Sequence, residues 1–351
     1  SAKNYDVNDL YNAMYDQEEK VDGRSFLTEV RSQNSLVIVD PEWGLFGKLK
    51  KLHNTESYKI NIKAAQEFSL VGEGINPDGT IESKDIAHGW NWISFPYEYA
   101  YSVEEILGTS NFRNDDVLLS KGGFATFTEG EWIGSLTTME PNQGYLLYSN
   151  VGDYEEFRLQ MPNRYELEQG TFEAAPSNAR DMNRSVWNYD GSRFANVMPI
   201  IGELIVPAGA DVADYTIGAF VGDECRGEGR IIKGRAFITV AGEAGEEISF
   251  RAYNECTGEY CEIDNVVPFG SMLGSFKAPA QFVTRAEATS VEQMSATFAI
   301  HGDIVLAPSA IQVYDAQGKV VAEGFQRVDL SHFGQGVYIV KAGNESRKIA
   351  K

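Results

Sequence analysis

The chain is poor in the residues that usually announce chemistry. It has four histidines in 351 residues, His53, His88, His301 and His332, each standing alone. There is no H-E-x-x-H and no close His pair, so a zinc site of the usual spacing is not expected. A G-x-S-x-G nucleophile elbow and a P-loop are also missing. "GDECRGEGR" has glycines at Gly222, Gly227 and Gly229 but no strand–helix context to cradle a phosphate, and reads as a tight turn. No apolar run approaches the roughly 18–20 residues of a membrane-crossing helix. Basic residues are scarce: 30 Lys and Arg against 51 Asp and Glu give −21. Such a surface repels phosphate backbones and anionic lipid, which argues against nucleic acid as a partner.

Cysteine is equally sparse. Three residues permit one disulfide in three pairings, or three reduced thiols. Cys256 and Cys261 flank "TGEY", a short hairpin turn across which a bridge could form, leaving Cys225 as the odd residue.

What is abundant is glycine, tyrosine and phenylalanine, at 34, 17 and 19 residues. They lie in short runs bounded by turn residues, so a mainly β protein of two to four domains is expected. The charge is unevenly spread. Thr284–Lys351 holds seven basic and seven acidic residues, so the first 283 residues carry 23 − 44 = −21. An acidic body and a neutral tail suggest parts with separate jobs.

The body repeats itself. "PEWGLFGKLKKLHNTESY" (41–58) and "GEWIGSLTTMEPNQGY" (130–145) both read Glu-Trp, a Gly, a Leu, and a Tyr nine residues after that Leu. Upstream of the second copy, Ser102 and Glu105 form an S-x-x-E capping box before Ile106 and Leu107; upstream of the first, Asp6 and Asp9 hold the same positions. Each unit therefore reads as a short helix, a strand pair around Glu-Trp, and further strands. The copies differ by nine residues between cap and Tyr, as loop insertions would give. The second unit opens with an aromatic strand, "HGWNWISFP" (88–96), with Trp90 and Trp92 on one side and Asn91 and Ile93 on the other. The first unit lacks it, so the chain is expected to begin inside a unit. With no charged and apolar leader at Ser1, a signal peptide is expected to precede the chain or to have been removed.

From Arg164 to Val283, β-rich runs broken by Gly, Pro and Asp read as an antiparallel sandwich. The expected organisation is two repeated small α+β modules, 1–86 (first strand missing) and 87–163, followed by two antiparallel, Ig-like β-sandwich domains, 164–283 and 284–351. Asp115-Asp116, Asp211 with Asp214, and Asp223-Glu224 offer oxygen ligands in turns. None follows a calcium-loop pattern, so no cofactor is expected.

The last domain resembles the C-terminal sorting domain of the type IX secretion system. The residues that carry this are "IQVYDAQGKVV" (311–321), "VDLSHFGQGVYIVK" (328–341) and the basic end "SRKIAK". The family's Pro-Asn-Pro stretch is absent. "GWNWISF", "GEWIGSL…PNQGY" and "YTIGAFVGDECRG…ISFRAYNECTGEYCEI" are similar to segments of large surface proteins of Bacteroidetes-type bacteria. The resemblance implies an exported, extracellular or cell-surface protein that meets the secretion machinery through its tail. It does not imply a reaction, because such modules accompany adhesins, peptidases and polysaccharide-handling proteins.

The candidate ligand-contacting residues are Trp90, Trp92, Trp132 and Glu131. Glu129 and Glu131 beside Trp132 could form a sugar subsite with the indole against a pyranose face. The recurrence of Glu42-Trp43 argues instead for packing. The expected function is a non-catalytic adhesin-like or spacer segment of a larger exported protein, with an unidentified glycan or protein ligand. The alternatives are carbohydrate-binding modules of an enzyme whose catalytic domain lies upstream, and a glycoside hydrolase needing two carboxylates roughly 5–10 Å apart in a cleft.

Overall fold

The structure is a computed structural model. It describes residues 5–14, 26–40, 42–64, 78–169, 185–187, 189–207, 209–285, 299–301, 304–315, 317–334, 336–342 and 345–350. The chain divides into two compact units, Ser1–Glu287 and Ala288–Lys351. It is mainly β with mostly antiparallel pairing, as expected.

The first unit begins with β1 (Tyr5–Asp6), α1 (Val7–Ala13), β2 (Leu27–Arg31), β3 (Leu36–Asp40), β4 (Gly44–Gly47), β5 (Lys51–Leu52) and β6 (Lys59–Ile62). Asp6 caps α1 by accepting from Asn8 N at 2.8 Å. β1 pairs with β5, and the main sheet runs β4-β3-β2-β6. Val7, Leu10, Leu27, Val30 and Val37 fill the core between helix and sheet.

The next segment repeats this order with additions. It contains β7 (Lys84–Ala87), β8 (Gly89–Ile93), β9 (Tyr101–Ser102), α2 (Val103–Leu107), β10 (Val117–Ser120), β11 (Gly123–Thr128), β12 (Glu131–Gly134), β13 (Thr138–Met139), β14 (Tyr145–Ser149), β15 (Glu156–Leu159) and α3 (Arg164–Gln169). The capping box forms: Ser102 Oγ accepts from Glu105 N at 3.1 Å, and Glu105 Oε2 from Ser102 N at 2.8 Å. β9 pairs with β13, and the main sheet runs β12-β11-β10-β14-β8. Element for element, β1-α1-β2-β3-β4-β5-β6 and β9-α2-β10-β11-β12-β13-β14 share one topology, and β8 is extra. Val7 N donates to Lys50 O and Val103 N to Thr137 O, both at 3.0 Å. A Cβ on Gly47 would fall 2.3 Å from Leu36 O, and one on Gly134 2.2 Å from Phe124 O, so both shared glycines serve one close strand approach. Ile81, Ile86 and Leu167 join the second module's core, so packing carries that module beyond 87–163 at both ends.

The Glu-Trp pairs are not equivalent, contrary to the reading of the repeat. Thr128 pairs with Glu131 across the two-residue turn Glu129-Gly130, at φ 54° and 93°, the left-handed pair of a type I′ hairpin. Asp40 pairs with Gly44 across three residues, 41–43. The additional residue puts Trp43 in the turn, 81% exposed, and leaves Leu45 opposite Val39 where Trp132 stands opposite Phe127.

Seven strands follow: β16 (Asn196–Ile205), β17 (Tyr215–Val221), β18 (Glu224–Ile232), β19 (Arg235–Gly242), β20 (Glu247–Asn254), β21 (Glu259–Pro268) and β22 (Ala280–Arg285). The antiparallel sandwich expected here is closed into a barrel, β16-β19-β18-β17-β20-β21-β22, because β22 returns to pair with β16 in parallel. Ile200, Ile217, Ile238, Phe250 and Phe282 fill its interior. A second apolar cluster lies outside the barrel. Val117, Leu119, Phe124 and Ile133 from the outer face of the second module's sheet pack on Ile201 and Phe237 of the barrel wall. Phe124 and Phe237 have centroids 5.2 Å apart. β10 and β11 are therefore buried on both faces, which is why "VLLS" and "GFATF" read as apolar runs rather than alternations.

The C-terminal unit contains β23 (Ala299–His301), β24 (Ile304–Tyr314), β25 (Val320–Asp329), β26 (Val337–Ala342) and β27 (Glu345–Ala350). They are ordered β23-β24-β26-β27, with β25 also on β24, around Val305, Ile311, Val313, Val328 and Val340. In the "DAQGK" turn Asp315 Oδ1 accepts from Gln317 N at 3.0 Å and Lys319 N at 2.9 Å, with Gly318 at φ 80°.

Candidate functional site

The alternation of "GWNWI" sends Asn91 and Ile93 inward and leaves Trp90 and Trp92 half-buried on the other side. Asn91 holds the strand's geometry: its Nδ2 donates to Ala87 O, Gly89 O and Leu147 O, and its Oδ1 accepts from Ala87 N. β8 is the edge of its sheet, yet one side chain of the first module occupies that edge. Gln33 Nε2 donates to Trp90 O and Trp92 N donates to Gln33 Oε1, both at 3.0 Å. A single amide thus satisfies the groups a neighbouring strand would take.

Each candidate aromatic is engaged by protein. Trp90 lies in the seam with the barrel, edge-on to Tyr148 at 5.2 Å. Trp92 lies under the Lys59 ammonium, 5.3 Å from the ring centroid. Burial holds the Lys59 pKa below its ordinary value, and Lys59 Nζ also donates to Asn196 Oδ1 at 3.0 Å. Trp132 packs against Phe112 at 4.9 Å and Phe127 at 5.4 Å, and its Nε1 donates to Gly108 O at 3.1 Å. Glu131 pairs with Lys233 of the β18–β19 turn at 2.6 Å. Glu129 sits in the hairpin turn, its N–H donating to Asn114 Oδ1. The structure brings Trp90 and Glu131 to the same module–barrel seam and puts Trp132 on the opposite, core face of its sheet.

The Cys256–Cys261 bridge does not form. Cys261 stands opposite Ala252 on β21 and points into the barrel, whereas Cys256 is an exposed turn residue beside Asp214. One thiol belongs to the barrel core and the other to the exposed turn, and both are free. Burial pushes the Cys225 thiol up to about 11.

Of the acidic turn residues, Asp115 has a buried Oδ1 without a partner, while Asp116, Asp211, Asp223 and Glu224 have structural partners. Asp116 is buried and accepts from Arg113 N and Asn150 N; burial raises its pKa above the ordinary value despite those bonds. Asp211 caps a short helical turn through Ala213 N. Asp223 faces Arg251, and Glu224 faces Arg193 and Arg226. Among the described residues no three His, Cys, Asp or Glu converge as metal ligands. A small pocket between Thr55 and the second module is lined by Glu82, Lys84 and Ser94 and by the apolar Ile81, Ile93, Leu159 and Met161. Among the described residues no helix is long and apolar enough to cross a membrane.

Gln33, Ile201 and Phe237 were not found by sequence reasoning. Gln33 is a turn residue acting 57 positions away, and nothing local marks it. For Phe237 the continuous apolar run of "RAFITVAG" was the available signal, since it implies burial on both faces.

Among curated proteins none matches this chain. Of solved structures, the Bacillus anthracis TIE protein is similar at 10% identity with a TM-score of 0.17, over 93% of this chain and 58% of that one, so the chain spans about three-fifths of its length. So loose a superposition carries no argument. Residues 294–351 match the secretion system C-terminal sorting domain family. The chain is therefore of the secreted Bacteroidetes type and ends in a type IX sorting domain.

Proposed function

We propose that this chain is a non-catalytic segment of a larger exported protein, a spacer with adhesin-like binding, held at the outer surface through its sorting tail. Residues 5–64 and 78–169 are two copies of one module, and the barrel is a wall against which the second copy is fixed. One observation carries this reading: the ring or strand edge of each expected ligand-contacting tryptophan is taken by another part of the chain. A residue so occupied builds a rigid body and leaves little face for a sugar.

A carbohydrate-binding accessory role is the second reading. It is favoured by Trp43 and Phe46, exposed by 81% and 68% on one hairpin. A glycan array separates the two. The spacer reading expects no glycan signal that Trp43→Ala, Trp90→Ala or Trp132→Ala removes. Binding lost in any of these variants with the fold intact would establish the carbohydrate role instead.

A further inference from the structure

β6 occupies in the first module the position of β14 in the second, but β14 has β8 on its far side and β6 has no strand there among the described residues. The side chains register the difference. Ile60 pairs with Val30, which is wholly buried, so both point to the core side; yet Ile60 is 42% exposed. Leu147, at the same place in β14 and covered by β8, is 0% exposed.

The backbone groups register it too. Thr28 Oγ1 donates to Asn61 O and Lys63 N donates to Phe26 O, so residues 61 and 63 turn toward β2. Successive residues of a strand direct their N–H and C=O to opposite sides, which turns those of Ile60 and Ile62 to the open edge. In the second module Leu147 O likewise faces β8 and accepts from Asn91 Nδ2. The open stretch Ile-Asn-Ile has no charge and no proline, the usual guards of an edge. Lys59, the one charge on β6, is drawn away to Asn196 and the Trp92 ring.

We propose that the β6 edge is a strand-acceptor site. It takes an extended, uncharged segment of β8's pattern from a separate polypeptide, antiparallel, with a small or amide residue over Ile60 as Asn91 stands over Leu147. The Ile60 side chain that the first module leaves exposed is then covered, and main-chain bonds to Ile60 and Ile62 supply the pairing.

The test uses the full chain and a fluorescein-labelled peptide of residues 87–95, AHGWNWISF. Anisotropy should show saturable binding, and amide exchange across 58–64 should slow at least about tenfold when it binds. Ile60→Pro removes an outward N–H without touching the β2 ladder, and should weaken binding at least about tenfold with the melting temperature held. Should that variant unfold, a peptide N-methylated at the amides facing β6 serves instead and should lose binding equally. The proposal is overturned by no saturable binding up to about 1 mM. It is also overturned by protection appearing across 145–149, which marks exchange with β8, or by a dimer that protects 58–64 without peptide, which makes a second copy the occupant.

Discussion

A tryptophan in this chain is worth what its hairpin makes of it. Trp132 stands on a strand with Phe112 and Phe127 against its ring, while Trp43, in the same dipeptide, lies in the turn in water. Trp132→Ala should cost about 3–5 kcal/mol and Trp43→Ala no more than about 0.5 kcal/mol, measured by chemical denaturation. Equal costs would mean that the dipeptides are equivalent after all. The cysteines allow a second check at this scale. Unreduced protein, unfolded and titrated for thiols, should show three groups, and folded protein should react first at exposed Cys256. One group in the unfolded protein would restore the bridge.

Among the elements, what was legible was what is local. The capping box of α2 and the Asp6 cap of α1 lie within a few residues of the helices they start, so sequence alone placed them. The shared glycine and tyrosine were legible as well. Tyr58 accepts His53 N and Tyr145 accepts Glu140 N, at 2.7 and 2.6 Å, each across five positions. The Glu-Trp match misled because one residue more in a turn shifts everything before it, and spacing counted from the tryptophan hides that shift. Burial drives both tyrosines up to about 12 from an ordinary 10. A phenol whose folded value lies above its unfolded one stabilises fully below pH 10, and that contribution is lost as pH rises toward 12. Absorbance at the phenolate band should therefore show late-titrating groups, these two beside Tyr97 and Tyr189, which burial also raises. Tyr58→Phe or Tyr145→Phe should each remove one and flatten the fall in stability between pH 10 and 12. Ordinary titration of both near 10 would contradict the burial assigned to them.

For the molecule as a whole, long-range pairings decided what sequence could not. Barrel closure rests on β16 meeting β22 in parallel about 80 positions away, and the seam on Phe124 meeting Phe237. No local pattern encodes either, although two-faced apolar runs hinted that something covers the second sheet. The tail was legible because its turn and tyrosine motifs are themselves the structure: Asp315 and Gly318 make the hairpin, and Tyr338 donates to Gly334 O at 3.0 Å. The two proposed N-terminal copies differ chiefly in what surrounds them: β8 and the barrel complete one sheet, and the other has no strand beyond β6 among the described residues. Amide hydrogen exchange on the full chain addresses that difference most directly. Ile60 and Ile62 should exchange within the time of an unprotected edge while Asn61 and Leu147 stay protected. Equal protection of Ile60 and Leu147 would contradict one module built twice and completed once.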